Sequence, residues 1–211
     1  MIICWSAKGG AGSTVVACAL ALDRSASSSV TVVDLAGDVT TALGVTEPAG
    51  PGIDEWLRSP TSGPEALRRL RTEVAPGLHV LAPGAAGRAS IDDGGARLAD
   101  ALTSLDDDVI VDAGTGEPPP ALVAAATHAL LVTRACFVAM QRAVRMTARP
   151  SGIVLVREPE RALRPSDVEH AIGVPIVAVV DLDPAVARMA DAGMLAGRMP
   201  RTFGLALRAV R

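Results

Sequence analysis

The sequence predicts an α/β fold: a single doubly wound, mostly parallel seven-stranded sheet with helices on both faces. Three observations predict it. Short β-branched runs recur along the chain with helical patterns between them. Those runs are apolar through their full width rather than alternating, as strands covered on both faces are. Hydrophobic residues make up 49% of the 211 positions and charged residues 20%, a composition that excludes disorder and supplies a sizeable core.

Taken in order, residues 2–6 read as the first strand, followed by a Gly-rich turn and a helix from Ser13 to Arg24. Val30-Thr31-Val32-Val33-Asp34 is the second strand and Leu78-His79-Val80-Leu81 the third. Between them, residues 46–77 are richer in Pro and Gly and read as an excursion with two short helices, Ile53–Arg58 and Pro64–Glu73. A helix over 92–105 leads into the fourth strand, Asp108-Val109-Ile110-Val111-Asp112. Further strands are expected at 129–133, 153–157 and 175–180, with helices near 136–148 and 166–172. Residues 184–211 read as helical with a break near Gly197–Pro200. No repeat and no long linker interrupts this alternation, so residues 1–211 are expected to form one domain.

Composition removes several functions. Aromatics are 2% with no Tyr, which leaves almost nothing for stacking on nucleic-acid bases. Net charge is −3, with −7 over residues 1–141 and +4 over residues 142–211. The acidic balance argues against nucleic acid as a partner, and the basic end either meets an anionic surface or forms a solvated Arg-rich face. Cys4, Cys18 and Cys136 form no CxxC pair, and His79, His128 and His170 are isolated, so neither a disulfide framework nor a zinc site is implied. The short apolar start lacks a signal peptide's basic n-region, and no apolar stretch is long enough to span a bilayer. A cytoplasmic protein is expected, with peripheral contact at the inner face of the membrane left open.

The first strand runs directly into Ala7-Lys8-Gly9-Gly10-Ala11-Gly12-Ser13-Thr14 and then a helix. Such a turn aims backbone N–H groups at an anion while the helix N-terminus adds its positive dipole end. Glycine is needed where φ is positive and a phosphate approaches closely. Thr14 stands where a hydroxyl ligates Mg²⁺. Asp34 and Asp112 end the second and fourth strands at the carboxyl edge of the sheet, where ligands bind in open α/β folds. Carboxylates beside a phosphate loop suit direct or water-mediated Mg²⁺ contacts. Asp112 opens Asp-Ala-Gly-Thr-Gly, whose Gly116 is positioned to bring an N–H toward a terminal phosphate. Lys8 is the chain's only lysine among nineteen arginines.

These residues resemble the MinD/ParA superfamily of deviant Walker A, SIMIBI-class P-loop ATPases, whose loop reads Lys-Gly-Gly-x-Gly-Lys-Thr. The segments Gly77–Gly84 and Asp183–Gly193 are similar to the family's third strand and to the stretch after its seventh strand. The resemblance implies ATP and Mg²⁺ as ligands. Lys8, Gly9, Gly10, Ala11, Gly12, Ser13, Thr14 and Gly116 would contact nucleotide, and Thr14, Asp34 and Asp112 would organise the metal. Lys8 corresponds to the family lysine that crosses a homodimer interface to the partner's nucleotide, so Lys8, Asp34 and Asp112 are the implied catalytic set. Ala7 and Ser13 look like the CpaE/TadZ branch of tight-adherence pilus systems, which implies a pilus-assembly or other positioning partner.

Three departures weaken the implied chemistry. Ser13 replaces the loop lysine that grips the phosphates, removing a charge-assisted hydrogen bond typically worth about 1.5–3 kcal/mol. Ala36 stands where many relatives place a second acid that orients water, with Asp38 nearby as a substitute. Arg157 ends the strand that carries an adenine-contacting Asn in relatives, and the chain has no Asn, so ATP over GTP rests on analogy. A slow ATPase and a non-hydrolysing pseudo-ATPase scaffold therefore stand side by side, with a ParA-like DNA-partitioning or MinD-like septum-site protein as further alternatives. The C-terminal arginines Arg198, Arg201, Arg208 and Arg211 mix with Met199, Phe203, Leu205, Leu207 and Val210. That pattern is compatible with a membrane surface and equally with a helix closing the domain.

Overall fold

A computed structural model describes residues 1–85 and 94–210. The elements follow the sequence in order: β1 (Ile2–Ser6), α1 (Ser13–Ser25), β2 (Val30–Asp34), α2 (Val39–Leu43), α3 (Ile53–Arg58), α4 (Pro64–Arg69), β3 (Thr72–Ala75) and β4 (Leu78–Leu81). Then come α5 (Gly95–Thr103), β5 (Asp108–Thr115), α6 (Pro120–Ala125), β6 (His128–Arg134), α7 (Phe137–Arg145), β7 (Gly152–Arg157), α8 (Pro165–Ile172) and β8 (Ile176–Asp181). Three short helices, α9 (Pro184–Asp191), α10 (Leu195–Arg198) and α11 (Arg201–Leu207), follow the last strand.

The sheet runs β3-β4-β2-β5-β1-β6-β7-β8, and every pairing is parallel except β3 with β4. It has eight strands, one more than the sequence predicts. The helix expected over Pro64–Glu73 ends at Arg69, and Thr72–Ala75 turns back as an antiparallel edge strand. The cause is local. Thr72 and Val74 are β-branched, and the Pro76-Gly77 turn, with Gly77 at φ 73°, returns the chain onto β4. Two further short helices, α2 and α6, were not foreseen. Each is under two turns, too brief for periodicity to register, and α6 begins at a Pro-Pro step that presets its first turn. The start of the helix expected over 92–105 and the end of the one expected over 184–211 lie outside the described residues.

Strands β1 and β2 are buried at all five positions, which explains their unbroken apolar runs. One face packs α1, α2, α9 and the helices beyond it through residues such as Val16, Leu20, Leu43, Val186 and Leu207. The other carries α3 to α8 through Ile53, Trp56, Leu98, Leu122 and Met140. Each fully buried Leu or Ile contributes about 1.5–3 kcal/mol. The excursion after α2 is fastened by Arg97, whose guanidinium lies 3.7 Å from the Trp56 ring centre. The same guanidinium donates to the carbonyls of Trp56, Leu57 and Ser62 at 2.9–3.0 Å.

From β1 the chain winds one way to β2, and β6, β7 and β8 follow the other way. The loop leaving β1 therefore sits at the point where winding reverses, the crevice that such sheets use for ligands.

Candidate functional site

The loop between β1 and α1 is shaped by two left-handed glycines, Gly10 at φ 75° and Gly12 at φ 97°. A side chain at either would be strained by the backbone angle itself. Gly12 caps α1 with no side-chain hydrogen bond, and the first turn holds no acidic residue. Its carbonyl accepts from the Val16 N–H at 2.9 Å, closing the helix and leaving the first amides with no intrahelical partner. The positive end of a 13-residue helix thus opens, uncompensated, at the carboxyl edge.

A cleft of about 690 Å³ lies against this loop, with Gly10, Gly12, Ser13 and Thr14 on one wall. Ala36 and Asp38, from the turn after β2, form a second wall, and Gly114 and Thr115, from the end of β5, a third. Asp191, the last residue of α9, closes the outer side. Among the described residues no Lys or Arg lines the cleft.

Two buried carboxylates stand behind it. Asp34 and Asp112 face one another in the β2–β5 register, and both are almost completely buried. Asp34 accepts three backbone hydrogen bonds. Its Oδ1 accepts from the Ala36 and Gly37 amides at 3.0 and 2.6 Å, and its Oδ2 from the Val39 amide at 3.0 Å. Burial still pushes its pKa up against those three bonds, with Asp38 adding like charge. Asp34 therefore fixes the turn carrying Ala36 and Asp38, with both its oxygens accepting from that turn.

Asp112 is different. Its Oδ1 accepts from the Gly114 amide at 3.1 Å, while Oδ2 is buried with no hydrogen-bond partner. Burial pushes its pKa up to about 6, partly opposed by the Thr14 hydroxyl and the Gly114 amide and reinforced by Asp34 and Asp38. An unpaired buried carboxylate oxygen beside a hydroxyl is a hard-cation donor set. Among the described residues no cluster of three His, Cys, Asp or Glu can hold a metal alone. Mg²⁺ fits that arrangement, since it takes few protein oxygens and keeps waters and phosphate oxygens.

The structure brings together Gly10, Gly12, Ser13, Thr14, Asp34 and Asp112 as the sequence predicts. Ala11 instead packs inward, and Gly9 is exposed at the loop's crest. Lys8 does not line the cleft made by its own loop; it lies near Cys136, the residue capping α7, whose pKa is lowered chiefly by the Ala139 amide and also by the Val138 amide, with Lys8 adding positive charge. The Gly116 amide donates to the Ser6 carbonyl at 2.9 Å, and Gly114 and Thr115 border the cleft. The strand runs three residues past Asp112, which carries Gly116 back over β1. Asp191 was not foreseen, and its only sequence signal is its place inside the Asp183–Gly193 segment. Arg157 sits at the end of β7 and forms a bidentate pair with Asp181 at 2.6 and 3.0 Å. That pair borders a second hollow of about 480 Å³.

No protein-family model matches the sequence, and no curated protein matches it significantly. Solved structures do match the fold. A ParA family ATPase from Chlorobium tepidum aligns over 100% of this chain and 98% of its own, with a TM-score of 0.76 and 17% identity. The septum site-determining protein MinD of Pyrococcus horikoshii, complexed with Mg-ADP, covers 99% of this chain and 92% of its own at TM-score 0.75 and 19% identity. A Cyanothece McdA–ATP complex covers 100% and 96% at TM-score 0.73 and 17% identity. The chain thus has the fold of the MinD and ParA ATPases over its whole length. No helix among the described residues is long and apolar enough to cross a membrane.

Proposed function

We propose that the chain is a MinD/ParA-type, nucleotide-dependent dimerising switch that positions a cellular assembly and hydrolyses ATP slowly or not at all. The observation that carries this reading is the cleft itself. It joins an uncapped helix N-terminus, Thr14 and the unpaired Asp112 carboxylate oxygen, yet no cationic side chain among the described residues lines it. The amides of the Gly9–Thr14 stretch would hold phosphates, and Thr14 and Asp112 would hold Mg²⁺, whose chemistry is to neutralise phosphate charge. Positive charge from a side chain must then come from outside the cleft, and Lys8, beside it but not lining it, is the residue suited to reach a second copy's nucleotide. Asp34 acts through the turn it fixes, placing Ala36 and Asp38 over the phosphate end.

The ion-paired strand ends at Arg157 and Asp181 leave the choice of base to groups other than an Asn, and ATP is preferred here because related folds carry adenine nucleotides. A pseudo-ATPase scaffold is the second reading, favoured by Ser13 in the loop and by Asp34 having both oxygens engaged. Titration of Mg-ATP with phosphate release measured in parallel separates the two. The switch binds and turns over slowly, the scaffold binds without release, and absence of any binding contradicts both. Thr14→Ala should weaken Mg-ATP more than Mg-free ATP. For the assembly, we favour a tight-adherence pilus apparatus on the Ala7 and Ser13 resemblance. Loss of surface pili on deletion, restored by the wild-type chain, tests that choice.

A further inference from the structure

We infer that the outer face of α7 is a docking surface for an acidic, amphipathic helix of a partner protein. Exposed apolar side chains concentrate there. Of five large apolar residues exposed among the described residues, three belong to this nine-residue helix: Phe137 at 62%, Val138 at 45% and Val144 at 48%. The helix does not need them for its own packing, because Ala139, Met140 and Ala143 form its buried side. Phe137 is also one of only four aromatic residues in the chain, and both tryptophans are buried. Scattered exposed apolar residues are ordinary; an exposed Phe with two valines on one short helix marks a contact surface.

Charge says what covers it. Residues 118–157 contain five arginines and no acidic residue, while the rest of the chain carries a net charge of −8. Arg142 and Arg145 are exposed on α7 and Arg149 just beyond it, and none pairs with an acid among the described residues. On the helix surface Phe137, Gln141 and Val144 form one i, i+4, i+7 row, and Val138, Arg142 and Arg145 form the next. Apolar and basic groups are therefore interleaved rather than segregated. A lipid surface selects segregated faces, with the basic groups flanking one apolar side. A partner helix can match an interleaved pattern, setting carboxylates against the arginines and aliphatic side chains against Phe137 and Val144. A two-fold contact of α7 with its own copy would place arginines against arginines, which is unfavourable.

The inference does not depend on nucleotide, so its test is run without any. A randomised helical-peptide display library is selected on the full-length chain, and the recovered peptides are titrated by fluorescence anisotropy. The expected peptides carry Asp or Glu around apolar residues at i, i+3 and i+4. Phe137→Ala and the pair Arg142→Glu/Arg145→Glu should each weaken them at least tenfold with an unchanged melting temperature, and added salt should weaken the wild type. Recovered peptides with no acidic excess, or binding indifferent to both variants, overturn the inference. So does tighter binding of the same face to phosphatidylglycerol vesicles or duplex DNA, lost in the same variants. A wild-type dimer in nucleotide-free sedimentation that Phe137→Ala turns into monomer would assign the face to a second copy and also overturn it.

Discussion

On the β2–β5–β1 side of the sheet, the carboxyl edge gathers Asp34, Asp38, Asp112 and Asp191 around a cleft that no Lys or Arg of the described residues lines. On the β6–β7 side, residues 118–157 hold five arginines and no acid. The two regions share one sheet and nearly opposite chemistry. The difference teaches how the chain would manage a polyphosphate. Ordinary phosphate loops place a cation inside the cleft; here the cleft would rely on amides and a divalent ion, with the arginines standing elsewhere. Ser13 is the residue on which the contrast turns, because it occupies the position where the missing charge would sit.

Removing the contrast should have the largest effect. Ser13→Lys adds a cation to the acidic side and should tighten Mg-ATP by about 1.5–3 kcal/mol, the worth of a hydrogen bond to a charged group. Calorimetric titration reads this as a tenfold or greater fall in Kd. An unchanged Kd would mean that the cleft does not hold the phosphates.

The second test uses pH. Asp112 keeps its proton up to about pH 6 in the folded chain, whereas an unfolded Asp loses it near 3.9. Between those values the folded state binds the extra proton, so this group stabilises the fold as pH falls and costs stability as pH rises through 6. Asp34, also raised, has the same sign. In metal-free buffer the stability advantage of Asp112→Asn over wild type should shrink by about 2 kcal/mol between pH 7.5 and 4.5. Denaturant melts at the two pH values check it, and a constant gap would show that Asp112 titrates normally.

The smallest effect belongs to the basic side's exposed ion pairs. Arg157 and Asp181 are both largely exposed, so their bidentate pair is screened by water. Arg157→Ala should leave the melting temperature unchanged. A clear drop would make the pair structural.

Much of this arrangement was legible in the sequence. Burial on both faces leaves an unbroken apolar run, so β1, β2 and β5 were plain, and with them the loop and the two strand-end aspartates. What escaped was set by short-range geometry. Strand β3 lay hidden because four residues beside a helix carry little pattern, and only the Pro76-Gly77 turn announced it. Asp34 and Asp112 look alike as strand ends, yet one is bound by three amides and the other keeps a free oxygen. That distinction depends on how each following turn curls. The place of Gly116 was hidden for the same reason, since β5 runs on past Asp112 and the glycine's amide donates to Ser6.

Lys8 would supply in trans the charge that the cleft lacks. Sedimentation velocity of wild type and Lys8→Ala, each with and without Mg-ATP, tests it most directly. Mg-ATP should convert wild type from monomer to dimer, while Lys8→Ala should bind the nucleotide and stay monomeric. A Lys8→Ala chain that dimerises with Mg-ATP as readily as wild type would contradict it.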